Sequence, residues 1–185
     1  MKKYLALLLA LVMSLSLFAC GKKEGDDNKD KDKTEYKVAM ITDYGDITDQ
    51  SFNQTTYEAC KAFAEKNNIE FKYYKPAGDN TADRVAMIES AVEEGFNVIV
   101  MPGYAFGGAI VEAAPQHKDV KFIALDVAKG DLLEAGVAKA GEKYDFTPDN
   151  WELEKYVDMS NVYCAIYKEE LCGYMAGYAA VKLGY

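Results

Sequence analysis

The chain has 185 residues, half of them hydrophobic and 28% charged, with a formal net charge of −9. That length and apolar content exclude a wholly disordered chain and suit one folded domain or a little more. The acidic balance argues against a nucleic-acid surface, the single histidine (His117) excludes a multi-histidine metal centre, and four scattered cysteines exclude a disulfide-stapled miniprotein. A lone arginine, Arg84, leaves little for an arginine-built phosphate or carboxylate clamp.

At the amino terminus, Lys2 and Lys3 precede an apolar run from Tyr4 to Phe18. A spanning helix needs about 20 apolar residues, so this run reads as the core of a signal peptide over residues 1–19. The sequence Leu17-Phe18-Ala19-Cys20-Gly21 resembles a bacterial lipobox. The resemblance implies cleavage before Cys20, lipidation of its sulfur, and a lipid-anchored protein on the extracytoplasmic face of the cell membrane. An ordinary secretory signal with an incidental cysteine is the alternative. Residues 20–35, rich in Lys, Asp and Gly, cannot bury enough surface to offset their ordering entropy and read as a solvated tether.

From Tyr36 onward, strand and helix patterns alternate. Lys37–Thr42 is a short apolar run of the buried-strand kind, and Ser51–Asn67 carries Cys60, Phe63 and Ala64 at helical spacing. Glu70–Lys75 is a second strand ended by Pro76-Ala77-Gly78. Asn80 caps a helix with Val85, Ile88, Ala91 and Val92 on one face. Asn97–Met101 is a third strand, and Gly107–Ala114 is a short helix stopped by Pro115. Lys121–Leu125 and Val162–Ile166 are strands four and five, and Glu169–Leu183 is a last helix. Between them, residues 127–161 are weakly patterned, with a possible helix over Asp131–Ala140 and Trp151 as a packing residue. The alternation predicts an α/β fold, a parallel sheet flanked by helices. Cys60, Cys164 and Cys172 read as small core residues, and His117 as a surface residue at a helix end.

In open α/β sheets, ligands bind outside the carboxyl ends of the strands, so the residues that follow each strand are the candidates. Asp43 follows the first, Gly103 and Tyr104 the third, and Asp126 the fourth. Ser51 and Gln54 have the spacing of a capping box, which places Phe52 and Asn53 in the first helical turn beside Asp43, with Asp49 shaping the turn before it. Carboxylates accept hydrogen bonds and a carboxamide both donates and accepts. Two acids, an amide and the aromatic faces of Phe52, Tyr104 and Phe106 suit a neutral, polar, partly flat molecule and disfavour a phosphate. No nucleophile–base pair, metal cluster or cofactor motif emerges, and no cofactor is expected.

The residues Thr42-Asp43-Tyr44-Gly45 and Asp49-Gln50-Ser51-Phe52-Asn53-Gln54 resemble the opening signature of the basic membrane protein family, PnrA-like nucleoside-binding lipoproteins of ABC importers. Phe122-Ile123-Ala124-Leu125-Asp126 is similar to its second signature. The stretch from Glu169-Glu170-Leu171-Cys172-Gly173-Tyr174-Met175 to Ala180 is similar to its third. The resemblance implies a type I periplasmic-binding-protein-like fold whose two α/β lobes close on a purine nucleoside, delivered to an ABC transporter permease. It implies that Asp43 and Asn53 hydrogen-bond the base, Phe52 contacts it, Asp126 accepts from ribose hydroxyls, and Gly103 and Tyr104 line the floor. On that pattern residues 36–166 form the first lobe and residues 167–185 a crossover helix opening a second lobe that is largely missing. The segment 127–161 is longer than the family's usual connection.

Three readings therefore stand. The first is a solute-binding lipoprotein for nucleosides, or for another small polar solute such as a sugar. The second is a nucleoside-processing enzyme using Asp43 and Asp126 as acid and base. The third is a surface lipoprotein that binds another protein.

Overall fold

The computed structural model describes residues 35–185. The signal peptide, Cys20 and the tether lie outside the described residues. Five strands form one parallel sheet: β1 (Lys37–Ile41), β2 (Glu70–Tyr74), β3 (Val98–Pro102), β4 (Lys121–Leu125) and β5 (Val162–Ala165), in the order β2-β1-β3-β4-β5. The α/β class expected from the alternation is therefore the class observed. The helices are α1 (Phe52–Asn67), α2 (Thr81–Glu93), α3 (Gly107–Ala113), α4 (Lys129–Lys139) and α5 (Glu169–Leu183). Among the described residues, no helix is long and apolar enough to cross a membrane.

The central strands are continuous apolar runs because both their faces are covered. Ala39, Ile41, Ile99, Met101, Phe122 and Ala124 join α2, α3 and α4 in the main core through Ile88, Phe106, Ile110 and Leu132. Helix α1 packs against β1, β2 and β3. The edge strand β2 (EFKYY) departs from the continuous pattern: only Tyr74 in it is buried. Its charged Glu70 and Lys72 pair with Lys37 and Glu94, which blunts an edge that would otherwise invite a further strand.

Asn80 caps α2 as expected, its side chain accepting from the Asp83 N–H at 2.9 Å. Ser51 makes no side-chain cap, so the expected capping box at α1 is corrected. Asp49 does that work instead: its carboxylate accepts from the N–H groups of Ser51, Asn53 and Gln54. Gln54 turns back to accept from the Gln50 N–H at 3.0 Å. A carboxylate offers more acceptor sites than a hydroxyl and favours the positive end of the helix dipole.

The weakly patterned region resolves into α4 and two short 3₁₀ turns, Pro148–Asn150 and Leu153–Lys155. A second apolar cluster of Leu133, Val137 and Tyr144, backed by Trp151 and Tyr156, covers the outer side of α4. The edge-on ring pairs Tyr144–Trp151 and Trp151–Tyr156 have centroids 5.7 and 5.5 Å apart. The last helix, α5, has the predicted bounds but buries no residue, and Leu171, Met175 and Tyr178 are exposed. Cys172 on it is exposed as well, against the expectation of a core position, while Cys60 and Cys164 are half-buried. His117 is likewise no free surface residue, since its Nε2 meets Glu89 at 2.9 Å.

One buried amide joins the α3–β4 connection to β5. Asn161 donates from Nδ2 to the carbonyls of Ala114, His117 and Val120, between 2.8 and 3.1 Å. Asn161→Ala leaves these carbonyls without that donor. It is expected to lower the unfolding free energy by about 2 kcal/mol in urea titration, since removing a buried donor costs about 1–3 kcal/mol and the His117 carbonyl still accepts from the Val120 N–H.

Candidate functional site

The strand order reverses between β1 and β3, which makes their carboxyl ends the switch point where open α/β sheets receive ligands. Register decides what gathers there. Met40 pairs with Val100 and Pro102 with Leu125, so Asp43, Gly103 and Asp126 leave the sheet at one level on neighbouring strands. With strands about 4.8 Å apart, Asp43 and Asp126 stand roughly 10 Å from each other along this edge. The edge is tied together by Gly103 N–H donating to the Leu125 carbonyl and Asp126 N–H donating to the Ala165 carbonyl. Gly103 has φ +117, a conformation that side chains rarely adopt, and an added Cβ there would lie 3.9 Å from the Asp43 Cβ. Tyr104, at 69% exposure, stands open beside it, whereas Phe106 is wholly buried in the core.

Asp43 and Asn53 are in direct contact. Asp43 Oδ1 accepts from the N–H groups of Tyr44 at 2.6 Å and Gly45 at 2.7 Å, and from Asn53 Nδ2 at 2.9 Å. Asn53 is only 5% exposed. Its Oδ1 accepts from the Asp43 N–H at 3.3 Å, and its second amide hydrogen goes to Asp49 Oδ2 at 3.0 Å. The amide orientation follows from these partners, because a flipped group would set its oxygen against two carboxylates. Both Asn53 donors are thus committed within the protein, leaving a lone pair on Oδ1 as the group it has to offer. Gly45 makes the arrangement possible: a Cβ there would come within 2.6 Å of Asn53 Nδ2.

The two acids differ in their electrostatics. Burial pushes the Asp43 carboxyl up, but the Gly45 and Tyr44 N–H groups, the Asn53 amide and the Arg84 charge outweigh it and hold it below the ordinary aspartate value. Asp49 is lowered too: the Asn53 side chain and the α1 N–H groups outweigh burial. Asp126 goes the other way, pushed up by burial and then by the charges of Glu169 and Asp131. Its backbone is left-handed at φ +59, a region that aspartate and asparagine tolerate better than most residues. Phe52 closes the other flank: its ring meets Tyr167 edge-on, centroids 5.9 Å apart, joining the loop that follows β1 to the one that follows β5.

The site expected from sequence is thus brought to one edge. Asp43, Asn53 and Gly103 are together, Asp126 lies two strands along, and Phe52 and Tyr104 flank them. Two members escaped the sequence reading. Tyr167 follows the fifth strand and answers to the same strand-end rule. Arg84 reaches the site only through folding of α2. Its Nε donates to the Asp43 carbonyl at 3.0 Å. Among the described residues no group of three or more His, Cys, Asp or Glu side chains gathers to hold a metal ion. The arrangement presents hydrogen-bond acceptors and aromatic faces, a surface for a neutral ligand rich in N–H or O–H donors.

The sheet order places acid-bearing loops at the switch point of an open parallel α/β sheet. The chain belongs to the PnrA-like family of ABC transporter substrate-binding proteins, which it matches over residues 36–184. It is 34% identical over 132 residues to the CD4+ T-cell-stimulating antigen of Listeria innocua, covering 66% of this chain and 36% of that protein. It is 24% identical over 178 residues to BmpA, an ABC transporter nucleoside-binding protein of Lactococcus lactis, covering 94% of this chain and 42% of BmpA. The chain therefore spans less than half the length of these curated relatives. Among solved structures, the 5-methylthioribose transporter solute-binding protein of Thermotoga lettingae, in complex with 5-methylthioribose, superposes with a TM-score of 0.49 at 16% identity. That match covers 80% of this chain and 37% of that protein.

Two measurements probe the electrostatics. A carboxyl whose folded pKa is lowered stabilises the fold above its unfolded value and loses that contribution as pH falls through the folded value. Asp43 and Asp49 are of this kind, so the urea midpoint is expected to fall as pH drops below about 4, and less steeply in Asp49→Asn. Asp126 has the opposite sign: ionised at neutral pH, it costs stability. Asp126→Asn is expected to raise Tm by about 1–3 °C at pH 7 in calorimetry, with the gain vanishing near pH 3.

Proposed function

We propose that this chain carries the ligand-binding lobe of a substrate-binding lipoprotein that delivers purine nucleosides to an ABC importer. Residues 36–166 form that lobe, residues 167–185 lead toward a second one, and acylated Cys20 holds the protein on the extracytoplasmic face of the membrane. The protein binds and releases its ligand without chemical change.

One observation carries this reading: at the switch point, Asp43 has one oxygen saturated by three donors and the other uncommitted among the described residues. An ionised acceptor fixed in this way selects an N–H or amino donor on a flat base and repels phosphate. Phe52, the first residue of α1, offers its ring to the face of the base, and Asp126 accepts from ribose hydroxyls. Asn53 serves chiefly by holding Asp43, with its Oδ1 as a second acceptor. Gly103 and Tyr104 line the floor. Each charge-assisted hydrogen bond contributes about 1.5–3 kcal/mol and base stacking about 1–3 kcal/mol. After the costs of association, three or four such contacts suffice for about −8 kcal/mol, or micromolar affinity.

The test is isothermal titration of the protein as its gene encodes it, prepared without acyl chains. Inosine, guanosine and adenosine are expected to bind with about micromolar affinity. Ribose and the nucleoside 5′-phosphates are expected to give no heat. Asp43→Asn is expected to weaken nucleoside binding about tenfold or more, and Asp126→Asn to weaken it while leaving the fold more stable. Heat with ribose and none with any nucleoside would replace this reading with a sugar-binding one.

A further inference from the structure

The chain's only arginine is 4% exposed, an unusual place for a charge that is never lost. Arg84 lies one turn into α2 and reaches three loops. Its Nε donates to the Asp43 carbonyl in the loop after β1. Its Nη2 forms an ion pair with Asp79 in the loop after β2. Its guanidinium lies over the ring of Phe106, in the 3₁₀ turn after β3, 5.7 Å from the centroid. Asp79 is itself half in solvent, so the pair is not a sealed core contact. Burying a guanidinium costs solvation that a surface lysine would not lose, and its contacts fall on the loops flanking the switch point.

We infer that Arg84 is a positioning residue: it ties the loops after β1, β2 and β3 into one unit and so presents the free oxygen of Asp43 to the ligand. This rests on the nucleoside-binding reading for its affinity consequence, but not for its structural one. The planar fork is essential. Nε and Nη2 point in two fixed directions while the flat face rests on Phe106, three tasks that a point-charge ammonium cannot perform together. Arg84 also sets positive charge behind Asp43, a smaller contribution than the Gly45, Tyr44 and Asn53 donors to the lowered carboxyl. The residue itself is buried and acts through the Asp43 loop.

The experiment uses Arg84→Lys and Arg84→Met in the unlipidated protein, with inosine as probe. Affinity is measured at a temperature where both variants are fully folded by circular dichroism. Both are expected to bind inosine about tenfold to hundredfold more weakly, with lysine giving little rescue. In ¹H–¹⁵N spectra, the amide signals of Tyr44 and Gly45 and the side-chain amide of Asn53 should shift in both, while those of Leu133 and Val137 stay in place. Asp79→Asn, at a half-exposed position, is a third variant, checked for folding in the same way, and should move the same signals with a smaller loss, about threefold. Affinity within twofold of the parent together with unmoved Asn53 signals would overturn the inference and reduce Arg84 to a stability residue. If the parent protein binds no nucleoside yet those signals move, the function proposed above fails and the positioning role stands.

Discussion

Three donors converging on one oxygen of Asp43 is the constraint from which the rest of the edge follows. Tyr44 and Gly45 fold their N–H groups around the carboxylate, and Asn53 adds its amide from the first turn of α1. For Asn53 to arrive there, residue 45 must lack a side chain and α1 must begin where it does. Asp49 fixes that beginning by capping the helix and by taking the second Asn53 hydrogen. Arg84 then holds the loop from below by its carbonyl. Each of these contacts is modest in energy, and together they leave one carboxylate oxygen with a single orientation and no partner among the described residues.

The two acids of the edge are arranged for different work. Asp43 is surrounded by donors and stays ionised in a fixed place. Asp126 is crowded by the charges of Glu169 and Asp131, in a strained backbone conformation, and gains from any donor brought to it. On the reading proposed above, a ligand hydroxyl or N–H brought to Asp126 would relieve that cost. Glu169 opens α5, the helix that buries none of its own residues, and its charge is among those that raise the Asp126 carboxyl.

Much of the fold was legible because burial on two faces writes itself into short apolar runs. Lys121–Leu125 was read with its observed bounds, as was α5, and Asn80 announced its helix by the chemistry of a cap. The errors came where packing rather than pattern decides. Ser51 and Gln54 have capping-box spacing, but Asp49 is two residues upstream and its carboxylate displaces the hydroxyl. Residues 127–161 lack a strong period because their aromatic residues gather around α4 and one another, with Tyr156 also against the main core. Cys172 sits among apolar neighbours in sequence, yet α5 buries none of its residues.

For the site, the sequence alone determined which residue types stand after which strand, because the chain must turn where an apolar run ends. It also marked Asp43 with Asn53 through the spacing of a loop and a first helical turn, which are local features. Only the tertiary structure decided that Asp126 stands at the same level as Asp43, since that depends on the register of three strands brought together from distant parts of the chain. It alone decided that both Asn53 donors are spent on carboxylates, and that Arg84, about 40 residues downstream of Asp43, closes the loop from behind. Hydrogen-bond saturation and burial are properties of packed neighbours, and no periodicity in the sequence encodes them.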